Sequence, residues 1–384
     1  MREMTRRAFL MSLAAAGMLA ACGQGAAPST PSASSSGREG WQKQWDAWVD
    51  GAKKEGRLIL ASGPSPDTRV KVPEAFKKAF GVEIEYLGGS STELANRLRS
   101  EQASNQYTVD VSLSGANTAY INFYGEKMME PLKPHLIRPD VLDPSVWTSG
   151  KGVWYMDPGN EYFVRTSNFV SPQIVVNTEF MKADGLNSWD ALLKPEYKGK
   201  IIALDPTQAG SGGQTGAYLY KTLGVEWVKR FYLDQEPALT LEDRVQADAL
   251  ARGKSPIAVG IRAQETVRLQ KDGFKLAVLR AWDPAPGYQS AAFGILGLFK
   301  NPPHPNAAKV FLNWILTKEG QTVWNSSWQT AAVRNDVDNA WVPDFIVPKP
   351  GVSYFDAYEW EYSSSGWKAI NENIKKLLAD RIKG

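Results

Sequence analysis

NSWDALLKPEYKGKIIALDPTQAGSGGQ, residues 187–214, packs a helix start, a helix stop, a buried strand and a glycine-rich turn into one short run. Trp189, Leu192 and Leu193 fall at i, i+3 and i+4, the spacing of one apolar helical face, with Asn187 or Ser188 as its cap. Pro195 stops that helix, because proline has no N–H to donate and its ring crowds the preceding turn. Lys200 to Leu204 then reads as a strand buried on both faces, since Ile201, Ile202, Ala203 and Leu204 offer no polar side to water. Strands of that kind belong to α/β layers. After a loop from Asp205 to Gly210, Ser211 stands three residues before Gln214. That capping-box pattern opens the next helix and leaves Gly212 and Gly213 as backbone donors in its first turn. Two roles fit such a start: an ordinary capped helix with glycines for close packing, or a ligand-facing N-terminus where an anion sits.

The chain begins MREMTRRAFLMSLAAAGMLAAC, a basic start, an apolar run and small residues before a cysteine, so residues 1–22 read as a signal peptide outside the fold. Leu19-Ala20-Ala21-Cys22 looks like the lipobox of bacterial lipoproteins, and Thr5-Arg6-Arg7-Ala8-Phe9-Leu10 resembles a twin-arginine export signal. Cys22 is the single cysteine, so no internal disulfide can form and its expected role is to carry lipid. Residues 23–40, GQGAAPSTPSASSSGREG, bury too little to fold and read as a disordered tether. The remainder is long enough for two moderate lobes. Losing the leader removes three arginines and one glutamate from a chain of net charge +3, leaving a nearly neutral protein whose charges are interspersed. Nucleic acid is therefore not an expected partner.

From Gly56 onward, strand and helix signals alternate: Leu58 to Ala61, a helix from Pro73 to Phe80, Val82 to Tyr86, and Val109 to Leu113. Ser90 and Glu93, behind Gly88 and Gly89, repeat the capping box of Ser211 and Gln214. The ends of these strands carry Ser62, Ser90, Ser91 and Ser114, and open α/β sheets bind ligands at the carboxyl ends of their strands. Further along, Ile174 to Thr178, Ile257 to Ile261 and Lys275 to Leu279 read as strands. Val245 and Ala249 mark a helical face, Ser290 to Phe299 reads as one long strand, and Pro305 starts a helix.

Catalytic signatures are missing. With two histidines, His135 and the proline-flanked His304, no Ser/His/Asp or metal-binding motif can be built, so neither an enzyme, a cofactor nor a resident metal is expected. Arg262 is the most informative single residue, because it follows directly on an apolar strand where a charge is costly. Its planar five-donor fork suits a carboxylate or phosphate, and a helix N-terminus adds about 0.3–1 kcal/mol toward holding an anion. The alternative is a structural arginine paired with an acid such as Glu265.

The chain resembles the extracellular solute-binding lipoproteins of ABC importers, in the branch that includes ferric-ion-binding proteins. The likeness rests on Trp189 to Ile201, close to that branch's WxDLLxPxYKGKI pattern. Asp110 to Gly115, Ile174 to Thr178, Pro305 to Leu312 and Glu319-Gly320-Gln321 support it. The resemblance implies a type 2 periplasmic-binding-protein fold: two α/β lobes, crossover hinge strands near Pro172 and Asp283 to Tyr288, and a central ligand cleft. Residues 41–171 plus 286–330 would form lobe one, and 172–285 plus 331–384 lobe two. A monomer is implied that captures a small solute, delivers it to ABC permease subunits and is held by lipid on Cys22 at the outer face of the cytoplasmic membrane or in the periplasm. Ferric members place adjacent tyrosines, hard ligands for Fe(III), where this chain reads Ile261-Arg262-Ala263-Gln264, and an arginine there repels a cation. The expected ligand is therefore a small anionic organic solute, a phosphonate, sugar phosphate or carboxylate. Ser62, Ser90, Ser91, Ser114, Ser211, Gly212, Arg262 and Tyr288 are its candidate contacts, and Trp282 or Tyr288 covers the apolar part. Ferric iron or an iron chelate is the alternative. A neutral sugar stacked on some of the 14 tryptophans, and a lipid-anchored hydrolase, rank lower.

Overall fold

In the computed structural model, which describes residues 35–89, 91–171, 174–208, 211–279 and 285–379, the expected alternation of strands and helices builds two separate sheets joined by a third, smaller one. Cys22, Ser90, Pro172, Trp282 and Asp283 lie outside the described residues. α1 (Ser35–Glu55) begins within residues 23–40, the stretch expected to be an unfolded tether. Its Trp45, Trp48 and Ala52 are buried, and a helix nucleated there extends backwards at low cost.

β1 (Arg57–Ser62), α2 (Pro66–Phe80), β2 (Glu83–Gly88), α3 (Ser91–Ala103) and β3 (Val111–Ser114) follow the predicted order, with β1 parallel to both β2 and β3. α2 starts earlier than Pro73, because Ser65 caps it through Thr68 N–H and Pro66 occupies its first position; Gly81, in the left-handed region, closes it. Short elements fill the proline- and aromatic-rich middle: β4 (Met129–Glu130), α4 (Pro139–Leu142) and β5 (Phe163–Arg165).

β6 (Phe169–Val170) then carries the chain out of the first sheet. The second sheet comprises β7 (Ile174–Asn177), β8 (Ile201–Leu204), β9 (Ala238–Thr240), β10 (Ile257–Val259) and β11 (Leu276–Leu279), in the order β11-β7-β10-β8-β9. α5 (Ser211–Leu223), α6 (Val225–Lys229), α7 (Asp243–Ala251) and α8 (Ala263–Lys271) connect its strands. The run 187–214 behaves largely as read, although its first helix is only a 3-10 turn, Asp190–Leu193. Ser188 Oγ accepts from Ala191 N–H, Trp189 and Leu192 are fully buried, and β8 is buried at every position. In α7 the buried side is Gln246, Ala247, Leu250 and Ala251, whereas Val245 is 51% exposed. The Val245–Ala249 face was wrong because packing against β8 and β10, not local periodicity, sets the rotation of a nine-residue helix.

The expected strand from Ser290 to Phe299 is two strands, β12 (Gly287–Ser290) and β13 (Ile295–Phe299). The chain changes sheets between them, with Ala292 at φ 50° and Gly294 packed so closely that a Cβ would lie 2.8 Å from both Ala291 O and Ser167 Cβ. β13 completes the first sheet by pairing antiparallel with β3, β4 and β5, while β12 pairs antiparallel with β6. α9 (Pro305–Ile315) and α10 (Lys318–Trp328) cover the first sheet through Val310, Phe311, Trp314 and Trp324. His304 serves as the α9 cap residue, its ring fixed between Asp110 and Arg57.

Residues 331–384, expected as a block in lobe two, divide their contacts. Arg334 and Ala332 bridge to Trp147 and Ser167 on the first sheet's side. β14 (Tyr354–Asp356) then adds a parallel strand to β12, and α11 (Trp367–Leu377) packs against α5.

Candidate functional site

The loops after β1, β3, β8 and β10 converge on one cavity of about 790 Å³, where α/β sheets place ligands. Pro64 to Asp67, Gly115 to Thr118, Ile121 and Asn122 line it from the first sheet, and Ser211, Gln214, Thr215, Gly260 and Arg262 to Glu265 from the second. Phe169, Ser171, Tyr288 and Ser290 contribute from the crossover strands, and Trp328, Tyr358 and Trp367 from later in the chain.

Arg262 sits where the sequence suggested, at the end of β10 and at the cap position of α8. Gly260 makes the turn possible: it has φ 71°, and a Cβ there would lie 2.6 Å from Thr215 Oγ1. Nε of Arg262 donates to Ser211 Oγ at 2.9 Å and lies 3.1 Å from Asp243 Oδ2. Glu265, the acid expected as a structural partner, is instead engaged by Arg268 at 2.8 Å. Both contacts of Arg262 use Nε, its side chain is 54% exposed, and the residue lines the cavity. Among the described lining residues it is the one cation, beside Asp67, Asp243 and Glu265. Each acid has a basic partner, Lys71, Arg262 and Arg268 respectively. Burial pushes the Asp243 carboxyl up, against the pull of Arg262, and its Oδ1 is buried without a hydrogen-bond partner.

The other expected contacts scatter. Ser211 lines the cavity at the first turn of α5, but Gly212 is buried behind it, and a Cβ there would lie 2.2 Å from Asp205 O. The glycine thus serves close packing of helix on loop, the blander of its two roles. Ser62 is 1% exposed and donates to Leu113 O at 2.7 Å, behind the wall. Ser114 is buried with its hydroxyl unpartnered, next to the lining residue Gly115. Ser91 opens α3, while Ser90 is outside the described residues. Tyr288 is 5% exposed, its ring held edge-on to Tyr218 at 5.2 Å and stacked near Phe355 at 6.2 Å. Burial pushes its phenol well above the usual tyrosine range.

Sequence reasoning missed Asp243, Trp328, Tyr358 and Trp367. Asp243 begins α7 shortly after β9, a strand-end position that could have flagged it. Trp328 and Trp367 follow no strand end and carry no local signal, while Tyr358 stands two residues after β14 (Tyr354–Asp356).

The family model described as bacterial extracellular solute-binding protein matches residues 71–346. A periplasmic protein of Salmonella typhi, provisionally named for binding 2-aminoethylphosphonate, is 23% identical over 269 residues, covering 69% of this chain and 73% of that protein. Among solved structures, the ferric binding protein from Campylobacter jejuni superposes with a TM-score of 0.63 at 17% identity, over 83% of this chain and 99% of its own. AfuA from Actinobacillus pleuropneumoniae, with fructose-6-phosphate bound, superposes with a TM-score of 0.60 at 17% identity, over 84% and 99%. The fold is the periplasmic-binding type, with two α/β halves and crossover strands between them.

Proposed function

The chain belongs to the bacterial extracellular solute-binding proteins, which work with ABC permeases, and from that premise we propose that it captures a small anionic organic solute in the cleft. The anion would be a phosphonate, sugar phosphate or carboxylate. Arg262 carries this reading: it is anchored through Nε by Ser211 and Asp243, and it lines the cavity with its side chain 54% exposed. A fork pre-set in this way loses little entropy on gripping a planar or tetrahedral oxyanion. Two similar proteins, one provisionally named for binding 2-aminoethylphosphonate and one solved with fructose-6-phosphate bound, have ligands of this class. Residues 41–171 with 286–330, and 172–285 with the last helix, are the two lobes that close over the solute. Lipid on Cys22 tethers a monomeric protein beside its permease, and Cys22→Ser is expected to move it from the membrane to the soluble fraction on fractionation.

Arg262→Ala is expected to weaken solute binding by about 2 kcal/mol, roughly 30-fold, read by calorimetric titration. The ligand for that titration is obtained by native mass spectrometry of protein purified without refolding. Unchanged affinity for the co-purified solute removes Arg262 from the site. The ferric alternative predicts a phenolate-to-iron absorption band on adding ferric citrate, and a colourless titration removes it.

A further inference from the structure

The two sides of the cavity differ in chemistry. From the second sheet's side come Ser211, Gln214, Asp243, Arg262, Gln264 and Glu265, and among the described residues no large apolar side chain. The first sheet's side supplies Pro64, Pro66, Ile121, Phe293 and Trp328. Both prolines are exposed, Ile121 is 40% exposed, and Phe293 and Trp328 are partly exposed. Apolar surface gathered in a cleft and left to water is unfavourable until a solute covers it.

Phe293 and Trp328 are the largest members of that wall, and each is fixed in place. Their rings stack with centroids 4.9 Å apart and planes 25° from parallel. Phe293 lies against Gly63, where a Cβ would fall 2.4 Å from its Cε1, so a glycine there lets the ring settle. Trp328 is the last residue of α10 and packs 5.8 Å from the buried Trp324. Its carbonyl accepts from Gln264 Nε2 at 3.4 Å, which ties it to the start of α8, the turn that carries Arg262. Rings held in this way lose little rotamer freedom on binding, and their flat faces favour a flat partner.

We propose that Trp328 and Phe293 form a stacking platform for the body of the solute, and that the solute is an amphiphilic organic anion with a ring. Its phosphate, phosphonate or carboxylate lies on Arg262 and its ring face on the aromatic pair. The proposal rests on the reading that Arg262 holds the anionic head. Aromatic and sugar rings share the weakly polar flat face that stacks on an indole. A short open-chain acid leaves the platform uncovered, whereas a cavity of about 790 Å³ has room for a ring and its head group together.

Phenyl phosphate, glucose-6-phosphate and glycerol-3-phosphate carry one head group on an aromatic ring, a sugar ring and an open chain. Each is titrated calorimetrically into wild type, Trp328→Leu, Phe293→Leu and Arg262→Ala, with circular dichroism melts confirming that each variant folds. Wild type is expected to bind the better ring phosphate about 10-fold more tightly than glycerol-3-phosphate, and the ring that wins separates an aromatic body from a sugar. Trp328→Leu and Phe293→Leu are each expected to remove most of that preference by weakening the ring phosphate, with glycerol-3-phosphate unchanged. If Trp328→Leu, beside Trp324, fails to fold, Phe293→Leu decides. A wild type that binds glycerol-3-phosphate as tightly as the better ring phosphate, or a preference that survives in the leucine variants, overturns the platform. Arg262→Ala is expected to weaken all three probes alike. If it leaves them intact while the leucine variants lose the preference, the anion reading falls and the platform stands. Failure of wild type to bind any of the three overturns both.

Discussion

Trp324→Ala is expected to destabilise the protein by about 3–5 kcal/mol, the range for emptying a fully buried large side chain. Trp324 on α10 has no exposure, belongs to the core over the first sheet and donates from Nε1 to Ser167 Oγ at 3.0 Å. Truncation removes its apolar contacts, leaves a cavity between α10 and the sheet, and leaves Ser167 Oγ only the longer contact from Thr330 Oγ1 at 3.5 Å. Its ring also packs 5.8 Å from Trp328, which lines the cleft and stacks on Phe293 at 4.9 Å. The loss should therefore reach the site as well as the core. Guanidinium unfolding is the measurement, and a midpoint equal to wild type with an unchanged slope would contradict the packing described for α10.

The second large effect is expected at Asp356. Arg165 is completely buried and directs its guanidinium to Asp356 Oδ2, to Ser167 O at 3.0 Å and to Asn168 Oδ1 at 2.8 Å, with the Trp154 ring 4.6 Å from Cζ. Asp356→Ala strands a buried cation, which costs about 3 kcal/mol, toward the low end for buried pairs because the carboxylate is 24% exposed. Asp356→Asn keeps an acceptor and is expected to lose less. The double variant Arg165→Met with Asp356→Ala should recover part of the loss, because the uncompensated charge is gone. Thermal melts of the three variants check the order, and a double variant less stable than Asp356→Ala alone would show that the charge is not the cause. Because Asp356 lies in β14, the same substitution should loosen the wall carrying Tyr358 and Trp367.

Much of the architecture was legible because it is written in short-range patterns. Leu58 to Ala61 of β1, Ile174 to Val176 of β7, and all of β8 and β10 are apolar runs with no polar face, and the face of α9, with Ala308, Phe311, Leu312 and Ile315, is buried as its spacing requires. Misreadings occurred where a neighbour overrode the local pattern. Pro73 looked like a helix start but lies inside α2, since the Ser65 cap and Pro66 upstream are the stronger signal. The single apolar run from Ser290 to Phe299 gave no sign that the chain leaves one sheet for another at Ala291 to Gly294.

The site was legible only in part. Arg262 stood out because a charge at the end of an apolar strand demands a reason, and Ser211 because capping is a local act. Ser62 and Gly212 carried the same local marks, yet they serve Leu113 O and the packing against Asp205 instead. Which serine of a strand-end loop faces the ligand depends on the rotation of the chain after the strand, and periodicity does not encode it.

Taken alone, the amino-acid sequence determined the main alternation of strands and helices, the two-lobed α/β class and the family. Each of these depends on residues near one another in the chain, where spacing and burial leave little choice. Tertiary structure alone decided that Arg262 answers to Asp243 and Ser211, that Trp328 and Trp367 reach the cleft, and that the C-terminal segment walls it. Those contacts join residues 19 to more than 50 positions apart, and they are chosen by the summed packing of α5, α7, α10 and α11 against their sheets and one another, a sum of many weak terms that no single stretch contains.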